Sequence, residues 1–191
     1  MNNENRMIKN KNKIHQNILD VASRIISEKG ASNITFEALS IEADVARKTI
    51  YNHFENKSAL LDELIFPICE HAREYLIAKT EKKQGELDDI WDYCIELWRD
   101  QSLNAALLYQ ITEQDYPQIN EIKIGFLILF KKFLMRIDGF KSLDETDIAI
   151  LADTIYTSYL PLLRSLKTIQ NYEVVFKAGM KIGRASCRAT E

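Results

Sequence analysis

Residues 30–57 read GASNITFEALSIEADVARKTIYNHFENK, and this stretch decides the fold. Its pattern predicts two short helices joined by a tight turn, the first over residues 36–43 and the second over residues 47–54. The second helix carries many polar side chains among few apolar ones: Arg47, Lys48, Thr49, Tyr51, Asn52 and His53. Such a helix has little to bury and many hydrogen-bond donors to present. The pattern therefore favours a helix that reads a nucleic-acid groove over one that fills a core.

The composition of the whole chain is typical of a soluble all-α protein. Only six glycines and three prolines occur among 191 residues, and no long alternating apolar run predicts a β-strand. The apolar fraction of 46% and the charged fraction of 28% are those of a globular protein. Apolar spacing predicts about nine helices, over residues 12–29, 36–43, 47–54, 57–79, 86–100, 103–113, 119–137 and 144–166 and from residue 171.

The predicted helices group into domains. Residues 1–56 form a helix-turn-helix domain with a basic N-terminal arm, and residues 57–183 form a larger helical domain. The arm contains Arg6, Lys9, Lys11 and Lys13. It is either a solvated, disordered tail or, beside a groove-reading helix, a contact to phosphates or the minor groove. The pattern breaks from Ile182 to Glu191, and we expect residues 184–191, which resemble a translated sequencing-library adapter, to be a non-native tail.

The second helix of the unit separates an inward from an outward face. Three apolar side chains are spaced to pack inward, namely Val45, Ile50 and Phe54. The outward face then carries Arg47, Lys48, Tyr51 and Asn52. Arginine and lysine match the O6 and N7 atoms of guanine, asparagine matches adenine, and tyrosine suits a thymine methyl group or a phosphate. The sequence therefore predicts a helix-turn-helix that reads double-stranded DNA.

From Ile14 to Leu64 the chain resembles the TetR family of bacterial transcriptional regulators. The matching residues are Gly30, Thr35, Leu39, Ala43, Val45, Arg47, Thr49, Ile50, Tyr51, His53, Phe54, Lys57, Leu60 and Leu61. The resemblance implies contacts to phosphates and base edges from Thr49, Tyr51, His53 and Lys57. It implies that Arg47 and Lys48 set the sequence preference. The full predicted DNA-binding set is Thr35, Arg47, Lys48, Thr49, Tyr51, Asn52, His53 and Lys57.

Two residues of the turn depart from the family pattern. Asp44 stands where family members usually have glycine, and aspartate tolerates the left-handed backbone conformation only at some cost. Ala46 stands where a serine or threonine cap is common, which removes roughly 1 kcal/mol of capping. Neither change removes a DNA-facing group. We expect a turn that depends more on packing against the first and fourth helices.

The resemblance also implies a repressor that a small apolar or aromatic effector releases from a palindromic operator. The predicted effector cavity is lined by Trp91, Cys94, Trp98, Tyr109, Phe126, Phe130 and Tyr156. Broad apolar stripes on the last two helices predict a homodimer with a four-helix interface. The sequence does not name the effector or the operator.

Other classes of function have weaker support. The chain has no glycine-rich phosphate loop, CxxC pair or GxSxG elbow, and Cys69 and His71 are spaced to lie on different sides of a helix. We therefore expect no enzyme activity, catalytic residues, metal site or cofactor. A helical adaptor that binds no DNA is the alternative, although it leaves the polar second helix unexplained.

The sequence predicts a cytoplasmic protein without a membrane partner. Basic residues near the start are followed by an amphipathic stretch instead of a signal peptide, and the longest apolar run, residues 126–130, is too short to cross a bilayer. The three widely spaced cysteines, Cys69, Cys94 and Cys187, suggest reduced thiols.

Overall fold

The computed structural model describes residues 3–81, 89, 92, 107, 108, 110–159 and 174. Within these residues the chain forms six α-helices and no β-strand, which confirms the all-α class. The helices are α1 (Asn3–Lys29), α2 (Phe36–Glu42), α3 (Arg47–His53), α4 (Lys57–Glu81), α5 (Ile119–Leu134) and α6 (Glu145–Thr154). Apart from the single residues 89, 92 and 174, the predicted helices over residues 86–100 and from residue 171 lie outside the described residues, as does the tail 184–191.

The chain divides into two compact units. The first contains residues 1–71 and 103–122, and the second contains residues 72–102 and 123–191. The apolar core of the first unit contains residues from each of the helices α1 to α4 and from the segment before α5. Its fully buried members include Ile18, Ile26, Leu39, Ile50, Phe54, Leu60, Leu61 and Leu107. This core therefore joins the two helices of the predicted helix-turn-helix to their neighbours.

Helix α1 begins at Asn3, so the predicted start near Asn12 is wrong. The basic arm is the exposed first part of this helix instead of a disordered tail. The reason is that no glycine or proline interrupts residues 3–29, while the apolar periodicity that marked the predicted start begins only at Ile14. Gly30 ends the helix with a φ of 87°, and its amide donates to the carbonyl oxygen of Ile26 at 2.8 Å.

The start of α2 and the turn between α2 and α3 have the capping and backbone features that the sequence predicts. Thr35 caps α2, since its hydroxyl oxygen accepts from the amide of Ala38 at 3.1 Å. Asp44 adopts a φ of 53°, the left-handed conformation in which glycine is usual. Ala46 precedes α3 without a side-chain cap. Asn17 supports the turn from α1, because its side-chain amide donates to the carbonyl oxygen of Ala43 at 3.0 Å.

The later helices match the predictions in place but not always in length. Helix α4 starts after Asn56, whose side-chain oxygen accepts from the amide of Ala59 at 2.9 Å, and contains Pro67. The predicted helix over residues 103–113 is too long, because residues 110–115 form turns and irregular backbone. Helix α5 ends at Leu134, three residues before the predicted end. Asp144 caps α6 in a capping box, and a π-helical turn, Ile155–Tyr159, follows that helix.

The left-handed Asp44 yields a test of the turn. We expect Asp44→Gly to raise the free energy of unfolding by up to ~1 kcal/mol and Asp44→Ala to lower it, because only glycine avoids the Cβ clash at positive φ. Urea denaturation followed by circular dichroism measures both changes. The exposed Glu55, which has no positive φ, is the control position. At Glu55 we expect the alanine variant to be more stable than the glycine variant. The same order of the two variants at Asp44 would contradict the prediction.

Candidate nucleic-acid interface

The outward face of α3 is polar and open to solvent. Arg47, Lys48, Tyr51 and Asn52 are exposed, whereas Ile50 between them is fully buried. This arrangement confirms the predicted division of α3 into an apolar inner face and a polar outer face. Because a single buried stripe fixes the rotation of the helix about its axis, the four polar side chains present one continuous surface.

Tyr51 has a defined position within this surface. Its ring meets the ring of Phe36 edge-on, with centroids 4.9 Å apart, and the guanidinium carbon of Arg47 lies 5.8 Å from the ring centroid. Half of Tyr51, 51%, remains exposed. The contacts restrict the side chain and leave its edge and hydroxyl group accessible, so little conformational entropy remains to be lost when it meets a partner.

Thr35 and Thr49 lie at the starts of α2 and α3. The side chain of Thr35 is exposed, and its oxygen already accepts the capping hydrogen bond. Thr49 is half-buried. A threonine hydroxyl that accepts a cap can still donate its own proton to a phosphate. Both residues therefore keep the chemistry that the predicted contacts need, and their role stays a prediction.

His53, the last residue of α3, belongs to a polar group that the sequence did not reveal. Its Nδ1 lies 3.2 Å from Nδ1 of His15 on α1, and Nε2 of His15 lies 2.6 Å from a carboxylate oxygen of Glu63 on α4. The ring of His15 also stacks on that of Phe54, with centroids 4.7 Å apart. Desolvation, His15 and Lys11 lower the pKa of His53 below its usual 6.5, while Glu63 acts in the opposite direction. The end of α3 is thereby tied to both neighbouring long helices.

Lys57 also has a partner that lies far away in the sequence. Its ammonium group is 3.1 Å from a carboxylate oxygen of Asp115, and the two side chains are 29% and 11% exposed. Burial raises the pKa of Asp115, but hydrogen bonds from Lys57 and Thr112 outweigh it and hold this pKa below its ordinary 3.8. The hydroxyl of Tyr116, the residue after Asp115, donates to Asp62 on α4. A DNA phosphate would share Lys57 with Asp115, so this predicted contact is weaker than the sequence alone implies.

The end of α2 is held by a second ion pair. A guanidinium nitrogen of Arg24 on α1 lies 2.9 Å from a carboxylate oxygen of Glu42. The hydrogen bond and charge of Arg24 lower the pKa of Glu42. Together with the bond from Asn17 to Ala43, this contact fixes α2 against α1 at the point where the chain turns toward α3.

Three of the seven residues predicted to line an effector cavity lie together in the second unit. The ring centroid of Phe126 is 5.5 Å from that of Phe130 and 5.6 Å from that of Tyr156. Lys123 lies beside them, 5.3 Å from the centroid of Tyr156 and 3.6 Å from a carboxylate oxygen of Asp153. The other four, Trp91, Cys94, Trp98 and Tyr109, fall outside the described residues. The described residues include no group of His, Cys, Asp and Glu side chains that would hold a metal ion.

These features define a helix-turn-helix protein, in which a short second helix is carried on a packed helical unit with its polar face outward. The sequence model of the family described as "Bacterial regulatory proteins, tetR family" matches residues 18–64. Over these residues the chain is similar to this family. The matched residues include α2, α3 and the first part of α4.

Two curated relatives agree with this similarity. The chain is 43% identical over 49 residues to the HTH-type transcriptional regulator AcrR of Shigella flexneri, which covers 26% of this chain and 23% of that protein. It is 24% identical over 113 residues to the transposon Tn10 TetC protein of Escherichia coli, 58% of this chain and 57% of that protein. The chain thus matches little more than half of one relative and a quarter of the other.

Solved structures share the fold over most of the chain. NalD, the secondary repressor of the MexAB-OprM multidrug efflux pump in Pseudomonas aeruginosa, aligns with a TM-score of 0.60 at 20% identity, over 92% of this chain and 97% of that one. The SmeT–triclosan complex aligns with a TM-score of 0.60 at 18% identity, over 84% and 85% of the two chains. At such identities the likeness concerns the fold. Among the described residues, none of the helices is long and apolar enough to cross a membrane.

The ion pair between Lys57 and Asp115 should make the free energy of unfolding depend on pH in the acidic range. The folded-state pKa of Asp115 is depressed, so the contribution of the pair is present above the unfolded pKa of about 4 and is lost as pH falls through the folded pKa. Lys57→Met keeps the aliphatic stem and removes the charge. We expect the variant to be less stable near neutral pH and to lose less further stability between about pH 5 and pH 3. Urea midpoints across this range test it.

The exposed Lys48 provides the matched control. Lys48→Met removes an equal charge from the same unit. It should leave both the stability and its acid dependence close to those of the parent, because surface charges contribute little. Equal behaviour of the Lys57 and Lys48 variants would contradict the assigned role of the pair.

Proposed function

We propose that this chain is a DNA-binding transcriptional regulator of the TetR type that binds a palindromic operator as a homodimer and leaves it when a small apolar or aromatic effector binds. The observation that supports the proposal best is the exposed polar face of α3 above a fully buried Ile50. The match to the family model over residues 18–64 and the repressor named among the fold neighbours agree with it. It assigns the chain no catalytic activity and a place in the cytoplasm, where its DNA would lie.

The DNA-binding surface we propose consists of Arg47, Lys48, Tyr51 and Asn52, with support from Thr35, Thr49, His53 and Lys57. Arginine and asparagine on the exposed face can form paired hydrogen bonds with guanine and adenine edges in the major groove. The hydroxyl groups of Thr35 and Thr49 and the ammonium group of Lys57 suit DNA phosphates. Contacts to phosphates position a protein on the duplex without specifying the sequence. A short helix contacts few base pairs, so a dimer with two such helices is needed for a useful specificity.

The proposal predicts the effect of removing the two side chains that contact each other on α3. We expect the double substitution Arg47→Ala/Tyr51→Ala to weaken binding of a selected operator by about 10-fold or more, because a good base contact contributes roughly 1–3 kcal/mol. The duplex is obtained by selection from a random-sequence library, and fluorescence anisotropy measures its affinity. Arg136→Ala removes an equal charge from an exposed position in the second unit and serves as the control. An unchanged affinity of the double variant would contradict the proposed surface.

The effector site we propose includes Phe126, Phe130 and Tyr156, together with Trp91, Cys94, Trp98 and Tyr109. Stacked aromatic rings with a cationic Lys123 at their edge suit a flat, lipophilic molecule with one polar or acidic group. Triclosan, the compound named in the SmeT complex, belongs to this class. For induction, the effector must bind the DNA-incompetent state more tightly, and DNA must weaken effector binding by the same factor.

This site yields a second functional prediction. Triclosan, used as the probe, should release the selected operator from the parent protein, with a coupling of roughly 1–3 kcal/mol. Tyr156→Ala should weaken the response at least several-fold, because it removes one wall of the aromatic group. Ile150→Ala, at an exposed position of α6, is the control. A probe that binds the free protein and leaves operator affinity unchanged would count against induction.

The homodimer stays a prediction as well. The apolar stripes of the last two predicted helices motivate it, and most of those residues lie beyond residue 159, outside the described part of the chain. Sedimentation at micromolar concentration distinguishes a dimer from a monomer. The alternative function, a helical adaptor, would show no salt-dependent binding to duplex DNA, whereas a regulator must show it.

A further inference from the structure

Three polar side chains from three helices form a chain of contacts that ends on α3. The carboxylate of Glu63 on α4 contacts Nε2 of His15 on α1 at 2.6 Å. Nδ1 of His15 contacts Nδ1 of His53 at 3.2 Å. Phe54 stacks on the ring of His15 and keeps it in place. The three residues lie in one compact unit, and His53 stands at the end of the helix that we propose reads DNA.

The hydrogen-bonding capacity of these groups determines where the protons lie. A carboxylate only accepts, so Nε2 of His15 must carry a proton and donate it to Glu63. If His15 is neutral, its Nδ1 is then a bare acceptor. The bond between the rings must in that case come from the Nδ1 proton of His53. A neutral His53 with its proton on Nδ1 has a bare Nε2, which accepts hydrogen bonds and cannot donate to a phosphate.

One additional proton on the histidine pair reverses the direction of the hydrogen bond between the two rings. It places a proton on both nitrogens of His15, and the resulting imidazolium is paired with the carboxylate of Glu63. His15 then donates from Nδ1 to Nδ1 of His53. His53 stays neutral overall but must carry its proton on Nε2, which becomes a hydrogen-bond donor. No other hydrogen bond ties the ring of His53 to the described residues, so Nε2 is left for a partner outside them.

We propose that His15 and Glu63 are positioning residues for His53, and that one proton taken up by the histidine pair turns Nε2 of His53 into a donor to a DNA phosphate. This inference rests on the proposed DNA-binding function and adds a proton dependence to it. Operator affinity should therefore rise as pH falls from about 8 to about 6.

The charges around the pair agree with a proton on His15. The groups that face it are Lys11 on α1 and Glu63 on α4. Burial, the neighbouring ring of His15 and the charge of Lys11 lower the pKa of His53, so His53 resists becoming an imidazolium itself. The carboxylate of Glu63 lies directly against Nε2 of His15, so an imidazolium at that position would face an opposite charge. The proton therefore changes the donor pattern of His53 without placing a positive charge on it.

The test compares operator affinity at about pH 8 and about pH 6 at constant ionic strength, because salt changes DNA affinity strongly. The probe is the fluorescein-labelled duplex recovered by selection. We expect the parent to bind roughly three- to tenfold more tightly at the lower pH. Glu63→Gln keeps an acceptor for His15 but removes the charge that holds the imidazolium, and it should lose most of this gain. Glu42→Gln removes an equal charge from an end of α2 and should keep the gain.

His15→Phe is a second variant, which keeps a ring against Phe54 and removes both bonding nitrogens. Operator binding by this variant should also lose its pH dependence. If His15→Phe fails to fold, the Glu63→Gln variant, which changes a half-exposed residue, still tests the inference. An equal pH response in the parent and the Glu63→Gln variant would overturn the inference while DNA binding stands. A fall in parent affinity on acidification would overturn it too. A parent that binds no duplex at any pH would overturn the proposed function itself.

A measurement without DNA examines the proton positions directly. The chain has three histidines, so the ring nitrogens in a ¹⁵N-histidine sample can be assigned from single substitutions. At about pH 6 we expect both nitrogens of His15 to be protonated and His53 to carry its proton on Nε2. Finding the proton of His53 on Nδ1 at that pH would overturn the inference whether or not DNA binds.

Discussion

Burial of the inner face of α3 is the constraint on which the rest of the first unit depends. Ile50 and Phe54 are 0% and 1% exposed and lie in a core shared with α1, α2 and α4. Burying two such side chains contributes about 1.5–3 kcal/mol each. A seven-residue helix has little stability of its own, so this packing is what forms it and sets its rotation. The exposed polar face is a consequence of that rotation.

Polar contacts between distant segments add to the core packing that positions α2 and α3. Asn17 holds the end of α2, and Arg24 pairs with Glu42 beside it. At the other end of α3, His53 meets His15, and Lys57 meets Asp115. Single contacts of this kind contribute modestly to stability. Their combined effect is to fix the ends of two short helices, and the proposed DNA-binding surface depends on that fixed placement.

The second unit suggests a different use of similar elements. Its described aromatic rings pack with each other and with Lys123, and Tyr75 and Lys79 both contact Asp89 through hydrogen bonds of 2.7 and 2.5 Å. An aromatic group with one cationic edge is more adaptable toward small molecules than a uniformly apolar core.

The sequence by itself determined the features that depend on neighbouring residues. The caps at Thr35, Asn56 and Asp144, the left-handed turn at Asp44 and the division of α3 into two faces all follow from residues within a few positions. The start of α1 was wrong because apolar periodicity cannot detect an exposed helix extension. Only the tertiary structure decided that His53 meets His15 and that Lys57 meets Asp115, 58 positions away. Such contacts depend on how helices pack, and packing is a property of the whole core, which no local pattern encodes.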